Sequence, residues 1–318
     1  MATGYFTHPD CARHHMGDGH PECPERLAAI EDRLIASGLA DFLTRLEAPV
    51  ADLAAINRAH ASQHILALAD QHQILLRDHA AGGPDHVYLD PDTALCTATW
   101  DAARRSAGAA IAATDAVIDG ALDNAFCAVR PPGHHATHAQ AMGFCFFNNV
   151  AIAAKHALDA RGLQRVAVID FDVHHGNGTE DIFGAHLDER VLMCSFFQHP
   201  FYPYSGTEQP APNMVNVPVP AYSRGAVVRE LVEQQWLPRL EAFKPEMIFI
   251  SAGFDAHRED DLGQMGLVEA DYAWITECLQ AVAQRHAKGR IVSCLEGGYN
   301  LDALGRSVAA HVKVLAGA

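Results

Sequence analysis

A chain of 318 residues with 49% apolar side chains is long enough to bury the core of one large α/β domain or two small ones, and no stretch approaches a membrane span. Its net charge of −16, from 23 Lys and Arg against 39 Asp and Glu, argues against a nucleic-acid partner, which needs a basic footprint. Such a surface suits a cationic substrate, a lysine-rich peptide or a polyamine, although solubility alone accounts for it in many cytosolic enzymes.

The N-terminal segment Met1–His8 has no basic region followed by an apolar one, so no secretory signal is read. The first third is mostly helical. Pro24 opens a helix in which Leu27, Ile30 and Leu34 recur at helical spacing, and Gly38 closes it. Helices follow over 62–80 and 98–118, separated by an irregular loop containing Gly82-Gly83-Pro84 and Asp90-Pro91-Asp92. From residue 125 the chain alternates. Apolar, β-branched runs predict strands at 126–129, 166–169, 191–196, 247–252 and 291–295. Between them fall helices at 148–161, after Gly178 with Thr179 as a cap, at 225–243 with Pro238 ending or kinking it, at 268–287 and at 302–316. Residues 199–220 form a long proline-rich loop. This alternation predicts one α/β domain over 1–318, a mostly parallel multi-stranded sheet with helices on both faces. The eight cysteines contain no C-x-x-C pair, and Cys127, Cys194 and Cys294 lie in apolar runs, which reads as buried thiols in a reducing cytoplasm.

Four of the strands end in polar clusters: Arg130-Pro131-Pro132-Gly133-His134-His135, Asp170 to Gly178, Ser251 to Asp255, and Glu296-Gly297-Gly298-Tyr299. Ligands of open parallel sheets bind outside the carboxyl ends of strands, so four loaded ends on one edge predict an active site. Asp170, Asp172 and His174 alternate at a spacing of two, which in an extended chain sends all three to one face. Two carboxylates aimed at one point repel unless a cation lies between them. Asp172 and His174 supply two ligands and Asp255 is the best third, its other reading being a helix N-cap. Such a set suits Zn²⁺ or Fe²⁺. His134 and His135 stand beside it as acid–base candidates, with Asp170 and Asn177 as partners that give them unlike proton affinities. Tyr299, after two glycines, can donate to a developing oxyanion. The segments Gly143–Asn149 and Phe201-Tyr202-Pro203 add aromatic walls suited to a narrow tunnel.

Together the segments His20-Pro21-Glu22-Cys23-Pro24-Glu25-Arg26-Leu27, R-P-P-G-H-H-A, G-F-C-F-F-N-N, D-x-D-x-H-H-G-N-G, S-A-G-F-D-A and E-G-G-Y resemble the histone deacetylase family, arginase–deacetylase fold, over nearly the whole chain. The resemblance implies zinc on Asp172, His174 and Asp255, and Tyr299 polarising the substrate carbonyl. It implies His135 as general base and acid, and His134 as an electrostatic partner bonded to Asp170. A tunnel walled by Phe144 and Tyr202 beside Gly143 is implied, as is a structural potassium near Asp170, Asp172, His174 and Ser195. Asn177, where some members carry aspartate, resembles the class II and bacterial deacetylase-like amidohydrolases. Polyamine-preferring relatives carry a gatekeeper glutamate where Leu262 stands here, which speaks against acetylpolyamines. The expectation is a zinc-dependent amidohydrolase that uses metal-activated water to remove acetyl, or a related short acyl group, from a lysine-like side chain of a peptide, protein or small acylated amine. The alternative is an acetylpolyamine amidohydrolase, with Asp92 and Glu259 as acidic candidates. An arginase-type ureohydrolase needs a richer carboxylate set, and a silent binding module should have lost a ligand or the tyrosine.

Overall fold

The computed structural model describes residues 1–185 and 187–318. Eight parallel strands form the main sheet in the order β2-β1-β5-β10-β9-β6-β7-β8. They are β1 (Thr3–Thr7), β2 (Leu43–Glu47), β5 (Asn124–Cys127), β6 (Val166–Asp170), β7 (Val191–Gln198), β8 (Met214–Val219), β9 (Met247–Ala252) and β10 (Ile291–Leu295), while β3 (His86–Tyr88) and β4 (Ala94–Cys96) form a small antiparallel pair. Strands β5, β6, β7, β9 and β10 are buried along their whole length, which is why they read as unbroken apolar runs. The helices are α1 (Glu25–Ala36), α2 (Leu53–Ile56), α3 (Ser62–Ala80), α4 (Thr99–Ile118), α5 (Asn149–Asp159), α6 (Asn177–Gly184), α7 (Gly225–Leu231), α8 (Leu237–Phe243), α9 (Glu269–His286) and α10 (Leu301–Ala316). Helices α4 and α5 pack together over one face of the sheet, and α1, α9 and α10 over the other.

Several elements depart from the sequence expectation. Besides its helices, the first third supplies β1 and the edge strand β2 to the main sheet, which the helical reading did not include. The buried residues of β1 include Gly4, where a Cβ would come within 2.5 Å of Leu122 Cδ1. Charged Arg45 and Glu47 lie on β2, as befits an edge. The loop 199–220 contains the opposite edge strand, β8, whose Pro218 pairs in register with Phe197; proline is tolerated there because an edge strand leaves one row of N–H groups unpaired. Residues 225–243 are α7, a π-helical turn at Val232–Trp236, and α8 with Pro238 in its first turn. The wider turn absorbs the missing N–H without ending the rod. Thr179 lies inside α6, whose N-cap is Gly176, and its hydroxyl accepts from Asn148 Nδ2 at 3.0 Å instead of capping.

Topology gathers the chemistry. The strands that precede the four polar clusters, β5, β10, β9 and β6, are consecutive neighbours at the centre of the sheet. Their carboxyl ends therefore open onto a single point.

Candidate active site

Strand β6 stops at Asp170, so the alternation expected of an extended chain does not bring Asp170, Asp172 and His174 together. The side chains bend the backbone themselves: Asp170 Oδ1 accepts from Asp172 N at 3.1 Å, and Asp172 Oδ1 from His174 N at 2.8 Å. These are Asx-type turns. Across the cleft, Asp255 Oδ1 accepts from Val173 N at 2.8 Å, and Asp172 Oδ2 accepts from Gly297 N at 2.9 Å. Each carboxylate is thus aimed by a backbone bond from a neighbouring strand end.

Ligand atoms of Asp172, His174 and Asp255 lie within 4.8 Å of one another. His174 Nδ1 is 3.0 Å from Asp172 Oδ1 and 3.2 Å from Asp255 Oδ2, and both aspartates are fully buried. Asp255 Oδ2 accepts no hydrogen bond among the described residues. Burial and the neighbouring Asp172 push the Asp255 carboxyl up to about 7; despite burial, the adjacent carboxylates of Asp172 and Asp255 push His174 up to about 10. The room between them depends on missing side chains, since a Cβ on Gly297 would lie 1.9 Å from Asp255 Oδ2 and one on Gly253 2.0 Å from Asp172 Oδ2. An orphaned buried oxygen, two carboxylates and one imidazole fit a divalent cation.

The histidine pair sits alongside, with ring centroids 4.0 Å apart. His134 Nδ1 is 3.0 Å from Asp170 Oδ2, and its Nε2 is 3.8 Å from Asp172 Oδ2. Burial opposes its charge, but Asp172 and Asp170 raise its pKa well above the ordinary histidine value. His135 behaves oppositely: burial, then repulsion from His134 and His174, hold it well below that value. Its Nδ1 is 2.7 Å from Asn177 Oδ1. With the amide oriented so that this oxygen accepts, Nδ1 carries the proton and Nε2 keeps the lone pair. Glu296 fixes the backbone that carries the pair, its Oε2 accepting from Gly133 N at 2.6 Å and His134 N at 3.0 Å.

A cavity of about 250 Å³ leads to this cluster, lined by His135, His174, Tyr299, Gly143, Phe144, Phe201 and Tyr202, with Leu262, Asp261 and Asp92. The Tyr202 ring meets His135 edge-on at 5.3 Å, Phe201 stacks on His174 at 5.3 Å, and Phe144 meets Tyr299 edge-on at 5.9 Å. Gly143 has φ +56°, and a Cβ there would press to 2.5 Å from His135 Cδ2. Glycine is required on both counts. Ser195 is the register partner of Asp170 on β7, outside the cavity. Glu259 does not line the cavity but pairs with Arg306.

Three contributors carry no sequence signal of their own. Asp260 accepts from Tyr299 N at 2.6 Å and Asn300 N at 3.0 Å, which holds the tyrosine turn. Arg26 Nε donates to Gly298 O at 2.7 Å, and its guanidinium lies 4.9 Å from the Tyr299 ring centroid. Behind it, buried Glu22 bonds Arg26 Nη1 at 3.0 Å and Arg130 Nη2 at 2.6 Å. Of these, only Glu22 and Arg26 fall in a segment already singled out, His20–Leu27, and nothing local distinguishes them there.

Residues 20–315 match the histone deacetylase domain. The chain belongs to the histone deacetylase family. It is 39% identical over 292 residues to the histone deacetylase-like amidohydrolase of Pseudomonas aeruginosa, covering 89% of this chain and 73% of that one. It is 40% identical over 311 residues to the polyamine deacetylase HDAC10 of Mus musculus, covering 93% of this chain but 45% of that protein. The crystal structure of the HDA15 HD domain superposes with a TM-score of 0.90 at 33% identity, over 99% of this chain and 90% of that one. Membership in the histone deacetylase family brings the arginase–deacetylase fold and, coarsely, amide hydrolysis of the deacetylase type. Among the described residues no helix is long and apolar enough to cross a membrane.

Proposed function

We propose that this chain is a zinc-dependent amidohydrolase that removes acetyl or a related short acyl group from a lysine-type amine. The observation that carries the reading is the buried Asp172–His174–Asp255 cluster, with the unpartnered Asp255 Oδ2, at the end of an aromatic cavity. Asp172, Asp255 and His174 Nδ1 would hold the ion; bound Zn²⁺ polarises a carbonyl and lowers the pKa of water. Fe²⁺ is accepted by the same donors.

The remaining work falls to the chain. His135, neutral through burial and its cationic neighbours, takes a proton at Nε2 and returns it to the leaving amine. His134, held protonated beside Asp170, keeps a positive charge next to the reacting carbonyl and keeps the two rings unlike. Asn177 fixes the His135 tautomer. Tyr299, its turn tied down by Asp260 and Arg26, donates its phenol to the developing oxyanion. Phe144 and Tyr202 enclose the alkyl chain, and Leu262 presents an apolar wall at the entrance. A potassium ion would add counter-charge near Asp170, Asp172, His174 and Ser195, where the last residue of β6, Asp170, pairs in register with Ser195 inside β7.

The test is turnover of a panel of acyl-lysine peptides and acetylated polyamines by protein reconstituted with zinc or iron. Hydrolysis of acetyl-lysine peptides with zinc supports the reading. Zinc-loaded protein that hydrolyses none of the panel contradicts it. The acetylpolyamine reading is favoured by Asp92 and Asp261 in the cavity lining, and preference for acetylputrescine over peptides would select it.

A further inference from the structure

The loop after Asp255 carries three consecutive acids, Glu259, Asp260 and Asp261. They are alike in sequence and unlike in place. Glu259 Oε2 is held by Arg306 Nη2 at 2.7 Å, and its Oε1 lies 3.7 Å from Arg258 Nε. Asp260 is buried, with its carboxylate accepting from the N–H groups of Leu262, Tyr299 and Asn300 at 3.0, 2.6 and 3.0 Å. Asp261 is exposed, has no hydrogen-bond or ion-pair partner among the described residues, and lines the cavity. Asp92 lines it too, on a loop held because Asp90 Oδ1 accepts from Asp92 N at 3.0 Å and from Thr93 N at 2.6 Å. No lysine or arginine lines the cavity, and the net charge of −16 provides no offsetting field.

Resting on the amidohydrolase reading above, we infer that Asp261 is a specificity-determining residue which, with Asp92, selects acylated amines carrying a second positive charge. Among the described residues the side chain makes no hydrogen bond or ion pair to the proposed metal ligands or the histidine pair, so it acts on substrate affinity through its field in the cavity. Leu262, next to it, contacts hydrocarbon while Asp261 supplies the charge that Leu262 lacks. The second cation can belong to a basic residue flanking an acetyl-lysine or to the far end of a polyamine. Both present an ammonium or guanidinium outside the aromatic walls.

The experiment compares kcat/KM of the zinc-loaded chain on two matched pairs: an acetyl-lysine peptide with a flanking Arg or Gln, and acetylputrescine against N-pentylacetamide, in which a methyl group replaces the ammonium. The charged member of at least one pair should be favoured by about three- to tenfold at low salt, the scale of one or two exposed ion pairs. The advantage should reside in KM and shrink at roughly 0.5 M salt. Asp261→Asn should cut that ratio by about threefold, and Asp70→Asn, on exposed α3 surface, should leave it in place. Loss confined to the peptide pair identifies a basic peptide as the source of the second charge; loss confined to acetylputrescine identifies a polyamine. An unchanged ratio in Asp261→Asn, or wild-type ratios near one in both pairs, overturns the inference while hydrolysis of the neutral substrates leaves the amidohydrolase reading standing. No hydrolysis of any of the four overturns that reading, and the inference with it.

Discussion

Two buried ionic clusters lie close together in this molecule, and they are built on opposite plans. In the first, Glu22 is bonded to Arg26 and Arg130, and the spare guanidinium N–H groups reach the carbonyls of Cys11, His14, Glu22, Glu296 and Gly298. His14, 3.5 Å from Glu22, is driven down to about 3 by burial and stays neutral. In the second, the ion-pair partners of Asp170, Asp172 and Asp255 among the described residues are His134 and His174 alone, Glu296 has none, and Asp255 Oδ2 is left without a hydrogen bond. In the first cluster every side-chain nitrogen of Arg26 and Arg130 and both carboxylate oxygens of Glu22 find a hydrogen bond. The second is not closed in this way. Burial of charge marks a structural element when every charged atom is hydrogen-bonded within the chain, and a ligand site when a charged atom is left without such a bond.

Substitutions at the two clusters should therefore separate folding from chemistry. The largest effect is expected at Asp255→Asn, which removes a proposed metal ligand that has no hydrogen bond at Oδ2: hydrolysis should vanish, while the metal-free melting temperature stays within a few degrees of wild type by calorimetry. Next comes the histidine pair. His135→Ala should lower kcat by about 10²–10⁴-fold, the usual cost of losing a proton-transfer group, and His134→Ala by less. Steady-state kinetics giving equal losses, or a larger one at His134, would reverse their roles.

At the first cluster, Glu22→Gln leaves two buried guanidiniums without their carboxylate and should cost about 3–5 kcal/mol of stability by denaturant unfolding. Its pH dependence has a defined sign. Burial disfavours the Glu22 charge, but Arg130 and Arg26 outweigh it and hold the group at about 2, below the ordinary 4.5. The stabilisation is complete above pH 4.5 and lost as pH falls towards 2, an amount of about 3 kcal/mol. Stability of Glu22→Gln should lack that acid component, seen as a shallower fall between those pH values. The smallest effect concerns selectivity. Wild type should favour acetyl-lysine peptides over acetylputrescine, and Leu262→Glu should shift that ratio towards the polyamine by about tenfold in competition assays.

How much of this could be read from the chain depends on how local each cause is. Central strands such as Val166–Asp170 and Met247–Ala252 are legible because burial on both faces demands a continuous apolar run. Strand β2, Leu-Thr-Arg-Leu-Glu, spaces its two leucines by three and so imitates a helix, while Pro218 disguises β8. At the site, the proposed ligands and the histidine pair announce themselves at strand ends. The geometry that joins Asp170, Asp172 and His174 does not, since it arises from Asx turns after the strand has stopped. Asp260 and Asp261 are the sharpest case. Adjacent identical residues take a structural and a cavity-facing place, and only contacts made 39 residues further along the chain decide which is which.

A metal should complete the carboxylate-rich cluster, whereas the arginine cluster is complete without one. Zinc titration of metal-free protein, followed by elemental analysis and thermal unfolding, tests this most directly. Wild type should take up one zinc per chain with a rise in melting temperature. Asp255→Asn should lose both the uptake and the rise, and Glu22→Gln, though destabilised, should keep both. Full zinc occupancy in Asp255→Asn, or a wild-type chain whose stability zinc does not change, would rule out this cluster as the metal site.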